Sequence, residues 1–468
     1  MAGNTRRRRR KKNNLMGLIL VLIVVLIALI IVAATIGNSG QNQPTEPGTQ
    51  PSTTVPTTAE PTTVPPTTEP PTTEPPIVKE ASATLSAVGD MLMHIPVVNT
   101  GYDSNSGTYQ FDSIFTYFAD YISSADYAVG NLETTLAGLD NGYSYSGYPL
   151  FNCPDGIIDG MKNAGFDMVL TANNHSYDTR TIGLSRTLEV IQDRQLAYLG
   201  TKVQAQDPDF VVVDLNGIRL GLACYTYEDN GTVEGKAPNG NTMTAADAPL
   251  INSFDYQNLD LFYSELQESM AQMEEQGADA VILFIHWGVE YQTTQNATQS
   301  DMAQALCDLG VDVIIGGHPH VVQPVELLTS TTDETQKTVC LYSMGNAVSN
   351  QRRENMNLNT GHTEDGVLFS VTFSRYSDGT VLLESAECIP TWVNLRTNPN
   401  TGRREYNILP LDKQIEDWKT QFDLTDSTLA SCEASYERTM AIVGEGLTAV
   451  NDYLSANQEA VEAAIGVK

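Results

Sequence analysis

Two segments decide the fold of this chain, 281-VILFIHWG-288 and 313-VIIGGHPH-320. Each begins with a short apolar run of the kind that forms a buried β-strand, and each places histidine directly after that run. In an open α/β sheet, ligands gather beyond the carboxyl ends of the strands. The two segments therefore predict an α/β fold with a functional edge to which His286, His318 and His320 contribute.

The same placement recurs earlier in the chain, where polar side chains again follow strand-like runs. These residues are Asp90, His94, Asn131, Glu133, Asn174 and His175. Five of the six histidines therefore fall just beyond a strand-like run. Polar groups from several strands are expected to converge at one edge of the sheet.

The residue types at this edge are those of a metal site. Imidazole and carboxylate groups together favour Zn, Mn, Fe or Ni over an all-oxygen calcium site. Two such ions about 3.5–4 Å apart can clamp a phosphoryl group, and a protonated histidine beside them can give a proton to a leaving oxygen. We therefore expect a site with two divalent metal ions.

Each motif also has a structural interpretation when taken alone. Gly89-Asp90 is more often a turn, and His318-Pro319-His320 is typical of some surface loops. His286 beside Trp287 is as readily a packed core histidine. The repeated placement at strand ends favours the functional interpretation for the set as a whole.

Helical and strand patterns alternate through residues 81–393, which indicates one α/β domain with added antiparallel strands. The patterns predict, among other elements, helices over residues 111–123, 156–164 and 259–275 and a strand over residues 280–286. The segment 210–225 reads as a β-hairpin that turns at Asn216-Gly217. Residues 394–468 are expected to be a largely helical extension, with Ala441–Ile465 as one long helix. That helix either packs on the domain or offers a surface to a partner.

The charge is strongly acidic and unevenly distributed. The net charge is −31, and the block Arg6–Lys12 contributes seven positive charges, so the remainder of the chain carries −38. An acidic body of this kind is repelled by nucleic acid. No nucleic-acid partner is expected.

The N-terminal residues predict a membrane anchor. Residues 1–14 form a basic cytoplasmic segment, and Leu15–Ile36 is an uncharged run of 22 residues. At about 1.5 Å per residue this run would cross one bilayer core, with the basic flank on the cytoplasmic side. A cleaved signal peptide is the competing interpretation, but such peptides have a shorter apolar region.

Residues 37–80 form a Thr/Pro-rich linker with almost nothing apolar, which favours a disordered, extended stalk. The sequence therefore predicts a single-pass protein of the cell membrane whose N-terminus is cytoplasmic and whose main domain is extracellular. The six cysteines include no C-x-x-C pair, and buried free thiols are the favoured interpretation.

The ordered motifs resemble those of a known family. They are Gly89-Asp90, Gly130-Asn131-Leu132-Glu133, Ala172-Asn173-Asn174-His175, His286-Trp287-Gly288, Gly317-His318-Pro319-His320 and Ser343-Met344-Gly345-Asn346. The set is similar to that of the CapA family, the poly-γ-glutamate capsule synthesis proteins, which resembles the calcineurin-like metallophosphoesterases. The resemblance covers about residues 83–393, and the anchor and stalk are similar to those of Gram-positive members.

The resemblance implies a four-layer metallophosphoesterase-like sandwich of two mixed sheets flanked by helices. It also assigns roles by motif position. Asp90 and His320 would bind the first metal, Glu133 would bridge, Asn174, His286 and His318 would bind the second metal, and His175 would be the general acid.

The chain departs from the phosphoesterase pattern in two places. His94 stands four residues after Asp90 instead of two, and Asn131 and Glu133 replace a Gly-Asp pair. His94, Asn131 and Asn346 are therefore additional candidates rather than assigned ligands.

Two arginine pairs also have more than one interpretation. Arg352 and Arg353 would grip an anionic substrate if their loop borders the site, but a solvated charged turn is the more common role. Arg403 and Arg404 are expected to be a surface pair.

These features predict a metal-dependent hydrolase or transferase in capsule biosynthesis. Its substrate would be a cell-envelope or capsule polymer or a phosphoester, and a capsule synthase complex would be its partner. The alternative is a non-catalytic assembly, export or anchoring factor that retains the fold. A stalked adhesin would explain the anchor but not the strand-end histidines.

Overall fold

The computed structural model describes residues 76–229, 235–358, 360–412 and 417–466. The predicted anchor, residues 15–36, and almost all of the predicted linker lie outside these ranges. Of the helices within them, none is both long and apolar enough to cross a bilayer. The described residues belong to one compact unit that extends from Glu74 to Lys468.

The described ranges contain seventeen strands and nine α-helices. The strands are β1 Lys79–Met91, β2 Tyr102–Asp103, β3 Thr108–Tyr109, β4 Tyr127–Leu132, β5 Met168–Leu170, β6 Ala197–Leu199, β7 Phe210–Leu215, β8 Ile218–Tyr227, β9 Ser253–Phe254, β10 Ala280–His286, β11 Val313–Gly317, β12 Val325–Thr329, β13 Lys337–Leu341, β14 Asn346–Val348, β15 Asp365–Tyr376, β16 Val381–Thr397 and β17 Arg404–Pro410. The helices are α1 Ile95–Gly101, α2 Asp112–Phe115, α3 Ala119–Ser123, α4 Gly156–Ala164, α5 Arg180–Asp193, α6 Leu259–Glu275, α7 Ala297–Leu309, α8 Trp418–Gln421 and α9 Asp426–Ile465.

Two mixed sheets organise these elements. The first has the order β17-β16-β15-β1-β4-β5-β6, with β14 also paired to β1. The second has the order β12-β13-β11-β10-β8-β7, with β9 paired to β8. In each sheet the central strands are parallel, namely β1, β4, β5 and β6 in the first and β8, β10, β11 and β13 in the second.

The main core lies between the two sheets. Alternate residues of β1, such as Leu85 and Ala87, belong to the same buried cluster as Ile282 and Phe284 of β10. The opposite faces are covered by helices. Helices α1 to α4 pack on the first sheet, and α6 and α7 pack on the second. The fold is therefore a mixed α/β arrangement in which helices cover the outer faces of two packed sheets.

The long helix α9 covers the inter-sheet core. Its residues Val443, Val450 and Leu454 join the buried cluster between the sheets. A side chain at Gly446 would place its Cβ 1.8 Å from the carbonyl oxygen of Val325, so this close approach requires glycine. Of the two interpretations of this helix, packing on the domain is confirmed.

Several sequence predictions match the structure. The hairpin at Asn216-Gly217 is formed by β7 and β8, and both turn residues have positive φ. All six cysteines are buried and unpaired. The helix predicted over residues 111–123 is instead divided into α2 and α3, since Phe118 between them has φ −115 and leaves the regular helical geometry.

The boundary predicted after Val393 falls inside β16, which continues to Thr397. Strand β17 then pairs along β16 as an edge strand of the first sheet. Residues beyond 393 therefore extend the same sheet before they become helical. The sequence pattern did not reveal this because β17 is a single short strand between polar turns.

Candidate metal centre

The carboxyl ends of the parallel strands of both sheets meet at one site. Asp90 near the end of β1 is in register with Asn131 of β4 and, on its other side, with Asn346 of β14. From the second sheet, His286 ends β10 and His318 follows β11. The site is therefore built where the two sheets face each other, as the strand-end placement predicted.

Three buried residues have the geometry of a metal site. One ligand atom each of Asp90, Glu133 and His286 lies within 4.8 Å of the others. Nε2 of His286 is 3.5 Å from Oε1 of Glu133 and 2.9 Å from Oδ1 of Asn174. Nε2 of His320 is 3.8 Å from the same Glu133 oxygen. Donor atoms from both sheets thus face Glu133.

The surroundings of Glu133 show that the site suits a cation. Its side chain is fully buried, and neither carboxylate oxygen has a hydrogen-bond partner. Nδ1 of His318 is buried and unpartnered as well. Buried polar atoms without partners are costly, and a coordinated ion is one way to satisfy them. The residues present therefore fit a divalent metal ion.

The protonation tendencies of the cluster follow from its carboxylates. Burial alone would lower the pKa of His320, but the charges of Glu133 and Asp90 raise it to about 9. Burial would raise the pKa of Asp90, but its hydrogen bond and charge interaction with His320 lower it. For His318, burial and the neighbouring histidines hold the pKa well below its usual value. The cluster thus attracts positive charge at the position of His320.

The loop that carries His318 and His320 has an unusual backbone. Both histidines have positive φ, 98° and 56° respectively. This conformation is uncommon for residues with a Cβ and is found most often at functional sites. The backbone N–H of His318 donates to Asp90 Oδ2 at 3.4 Å, and Nδ1–H of His320 donates to the same oxygen at 3.0 Å. The backbone conformation places both groups against Asp90.

Beside the cluster, His175 and Asp178 form a buried pair. Nδ1–H of His175 donates to Oδ2 of Asp178 at 2.7 Å. The amides of Asn239 and Asn241 donate to the other oxygen of Asp178, at 3.2 and 3.3 Å. Burial lowers the pKa of His175, but Asp178 and the charge of Glu133 outweigh it, so the net shift is upward. Asp178 therefore orients the ring and favours its protonated form.

A network of amides connects the strand ends. Nδ2 of Asn131 donates to Asp90 Oδ1 at 2.7 Å, and Nδ2 of Asn173 donates to Asn131 Oδ1 at 3.0 Å. The backbone N–H of His175 in turn donates to Asn173 Oδ1 at 3.1 Å. Asn131 and Asn173 thus hold Asp90 and the His175 segment in fixed relation.

Asn346 lies at the same site, but its side chain forms hydrogen bonds that connect two loops. Its Nδ2 is within hydrogen-bond distance of the carbonyl oxygens of His320 and Thr363 and of Gln351 Oε1. Its Oδ1 is buried and unpartnered. The side chain therefore fixes the His320 segment to the loop that precedes β15.

Three sequence candidates lie apart from the cluster. Nδ1 of His94 faces the backbone, 3.2 Å from the Leu92 carbonyl oxygen and 3.3 Å from the Asn350 N–H. Arg352 is 2.7 Å from Glu354 and also donates to the Val393 carbonyl oxygen at 2.9 Å. Arg353 is half-exposed and lies 3.8 Å from Glu364. The structure brings none of these three into contact with the metal-site residues it describes.

Sequence reasoning missed Asp178 and Tyr227. Asp178 follows His175 by three residues, a spacing that could have been tested for a histidine partner. Tyr227 ends β8, and its ring lies 4.8 Å from that of His318 and 6.5 Å from that of His286 between centroids. Its position at a strand end is the same signal that identified the histidines.

Comparisons with known proteins give two curated relatives. The capsule biosynthesis protein CapA of Bacillus anthracis is 28% identical over 275 residues, which cover 57% of this chain and 60% of that protein. The PGA biosynthesis protein CapA of Bacillus subtilis is 27% identical over 268 residues, which cover 57% of this chain and 63% of that protein. The matched region thus spans less than two thirds of either relative.

Among solved structures, a Staphylococcus aureus protein described as a 5′-nucleotidase, in complex with alpha-ketoglutarate, aligns with 73% of this chain and 58% of its own. The TM-score is 0.41 and the sequence identity is 14%. A TM-score of 0.41 is too low for this likeness to carry an argument about fold or function.

The model of one protein family matches residues 84–351, more than half of the 468 residues. The matched region contains Asp90, Glu133, His175, His286 and His320. The chain therefore belongs to the bacterial capsule synthesis protein family PGA_cap.

Proposed function

We propose that this protein is a metal-dependent hydrolase or transferase of capsule biosynthesis. Its substrate class would be a phosphoester or a capsule polymer such as poly-γ-glutamate. The observation that carries the proposal is the buried, unpartnered Glu133 carboxylate among Asp90, His286 and His320. A purely structural core has no evident use for such a charge.

The donor set suits two divalent ions of Mn, Zn, Fe or Ni. Asp90 and His320 would hold one ion and Asn174, His286 and His318 the other, with Glu133 between them. When bound, such ions supply Lewis-acid activation and neutralise charge on an anionic group. This arrangement is the one expected of a four-layer metallophosphoesterase-like sandwich.

His175 would act as the general acid. Its Nδ1 is held by Asp178 at 2.7 Å, so the other ring nitrogen is the one that can exchange a proton with a substrate. The upward shift of its pKa favours a protonated ring near neutral pH. Asp178 would thus act through His175 rather than on the substrate.

Family membership supports the capsule role, and the printed names of both curated relatives refer to capsule or PGA biosynthesis. The acidic body argues for local rather than general attraction of an anionic polymer, because its net charge of −38 would repel one. Metal ions at the strand-end cluster would provide that local attraction.

The proposal includes a single-pass protein of the cell membrane, with the N-terminus cytoplasmic and the main domain extracellular. The uncharged run Leu15–Ile36 and the basic block Arg6–Lys12 support it. A capsule synthase complex in the same membrane would be its partner.

A non-catalytic assembly, export or anchoring factor is the second candidate. The position of His94 favours it, because that ring faces the Leu92 carbonyl oxygen and the Asn350 backbone N–H instead of the cluster. With one fewer ligand, the first metal position would be weaker than the second.

Metal content tests the proposal. The full chain, purified in neutral detergent, is analysed by inductively coupled plasma mass spectrometry beside the double variant His318→Ala/His320→Ala. We expect about two equivalents of transition metal in the parent and a marked loss in the double variant. About one equivalent would favour the assembly factor, and none in a folded parent would refute the metal-dependent mechanism.

His362→Gln is the matched control. His362 is the sixth histidine, and its Nδ1 lies 3.8 Å from Asp365, outside the cluster. The control should retain the metal content of the parent. A similar loss of metal in this variant would show that the assay reports general damage instead of the cluster.

A further inference from the structure

A pocket of about 390 Å³ lies between α1 and β17, on the edge of the first sheet. Its eight lining residues include two arginines, Arg403 and Arg404, and no carboxylate. A volume of this size is within the range of small-molecule sites. In a chain with a net charge of −31, a pocket whose charged lining residues are both arginines is an exception. The same two arginines also line an adjoining cavity that contains Asp103, Asp112 and Glu405.

The side chain of Arg404 is exposed and forms neither an ion pair nor a hydrogen bond in the described part of the chain. Every other arginine in the described ranges contacts a carboxylate or a backbone carbonyl. Its neighbour Arg403 is 3.7 Å from Asp103 and 3.5 Å from the Thr100 carbonyl oxygen. The pocket therefore contains one guanidinium whose charge and donors are uncommitted.

The remaining lining residues suit the rest of a bound molecule. Asn99 and Thr100 of α1 offer neutral polar groups, while Pro96 and Leu395 are apolar. Tyr406 also lines the pocket, although it is almost fully buried. A guanidinium beside apolar residues can bind a carboxylate or a phosphate bidentately while those residues cover attached carbon atoms.

We propose that this pocket is an anion-binding site, in which Arg404 holds a carboxylate or phosphate group of a chain-like ligand. The site is separate from the metal centre, and its affinity for anions does not depend on bound metal. It lies partly on β17, beyond the segment 84–351 that matches the family.

A series of contacts connects the pocket to the metal centre. The hydroxyl of Tyr406 donates to Asn350 Oδ1 at 2.6 Å, and the Asn350 backbone N–H donates to Nδ1 of His94 at 3.3 Å. The rings of His94 and Phe151 are 5.2 Å apart, and those of Phe151 and His175 are 4.7 Å apart. This series runs through the buried side chains of Tyr406, Phe151 and His175. If the proposed function holds, it is the contact by which an anion bound at Arg404 is linked to the metal centre.

The test is isothermal titration calorimetry on the full chain in neutral detergent with EDTA, so that metal cannot contribute. Hexaglutamate is the carboxylate probe and tripolyphosphate is the phosphate probe. We expect Arg404→Gln to weaken binding of the preferred probe about 10- to 100-fold. The probe that binds more tightly identifies the source of the anion.

Arg375→Gln is the charge-matched control, since Arg375 is already paired with Asp279 at 3.6 Å. It should bind both probes like the parent. Asn99→Asp places a carboxylate in the pocket without removing Arg404, and it should weaken binding as well. Failure of the parent to bind either probe, or equal weakening by Arg404→Gln and Arg375→Gln, would overturn the proposal.

Metal analysis of the same preparations, made before EDTA is added, separates the two proposals. Arg404→Gln should retain the metal content of the parent. Binding that depends on Arg404, in a folded chain that is purified without metal, would leave the pocket established and refute the metal-dependent function. A metal-loaded chain that binds neither probe would overturn the pocket proposal and leave the metal-dependent function in place.

Discussion

The substitution Glu133→Gln tests the metal centre through stability, without any assay of activity. Glu133 is fully buried, and both of its carboxylate oxygens lack hydrogen-bond partners. An unsatisfied buried polar group costs about 1–3 kcal/mol, and more when it is charged. Replacing the carboxylate with a neutral amide of the same shape removes this cost, but it also removes the attraction between Glu133 and His320, so the metal-free protein should be stabilised by no more than about 1–3 kcal/mol.

The size of the folded unit converts this energy into a melting temperature. For the roughly 390 residues of the compact unit, the entropy of unfolding is about 0.8 kcal/mol per kelvin. The metal-free variant should then melt up to about 4 °C above the metal-free parent.

With metal present this difference should disappear or reverse. An ion at 100 times its dissociation constant stabilises the folded state by about 2.7 kcal/mol, or about 3 °C for this unit. Glu133→Gln should lose most of that gain, because the Glu133 carboxylate faces both His286 and His320.

Differential scanning calorimetry of the full chain with EDTA, and then with Mn²⁺ or Zn²⁺, measures both effects. Glu364→Gln is the matched control, since Glu364 is buried but accepts the Arg353 N–H at 3.1 Å and lies near Trp392 Nε1 at 3.4 Å. This control should lower the melting temperature without metal and keep the metal-induced rise. The reasoning is refuted if Glu133→Gln leaves the metal-free melting temperature unchanged or lower and shows the same metal-induced rise as the parent.

Three further predictions follow from other contacts. Asp178→Asn should lower kcat about 10²- to 10⁴-fold on whatever substrate a screen identifies, with unchanged metal content by mass spectrometry, because Asp178 orients the ring of His175 and favours its protonated form. Gly89→Ala should destabilise the fold by about 1–3 kcal/mol in thermal melts, since its Cβ would lie 1.9 Å from the Gly345 carbonyl oxygen. Burial raises the pKa of Asp312 to about 6, so its stabilising contribution is complete below pH of about 4 and is lost as pH rises through 6. At pH 8 the free energy of unfolding of Asp312→Asn should therefore exceed that of the parent by at most about 3 kcal/mol, which thermal melts would show as a higher melting temperature. At pH 4 the variant and the parent should be equally stable.

The sequence predicted the helices and strands that can be identified from the pattern of their own residues. Helices α4 and α6 and strand β10 have the predicted bounds, because amphipathic spacing and a continuous apolar run are local signals. Strands β6 and β14 have only three residues each and were missed. They are strands because a neighbouring strand supplies hydrogen-bond partners, which no local pattern records.

The sequence predicted which residues lie at the site better than it predicted where their side chains point. A strand end indicates which edge a residue occupies, and this was sufficient for Asp90, His286 and His318. It does not indicate where the side chain points after the strand has ended. His94 and His175 both follow strands, yet His94 faces the backbone near Leu92 whereas His175 faces Asp178.

The sequence also does not show which charged side chains are paired in the fold, as Arg403 and Arg404 illustrate. Sequence gives the same description to Arg403 and Arg404, two adjacent cations beside a glycine. In the fold, Arg403 pairs with Asp103, whereas Arg404 faces a pocket without a carboxylate. Because the net charge of the whole chain is −31, an anionic ligand can be held only where such local exceptions occur. The proposed metal centre, with its ions bound, and the proposed Arg404 pocket would be two such exceptions, and an anionic chain that used both would be bound by two sites with independent chemistry. Loss of either one should then weaken a long polymer more than a short fragment, since only the polymer gains from simultaneous binding.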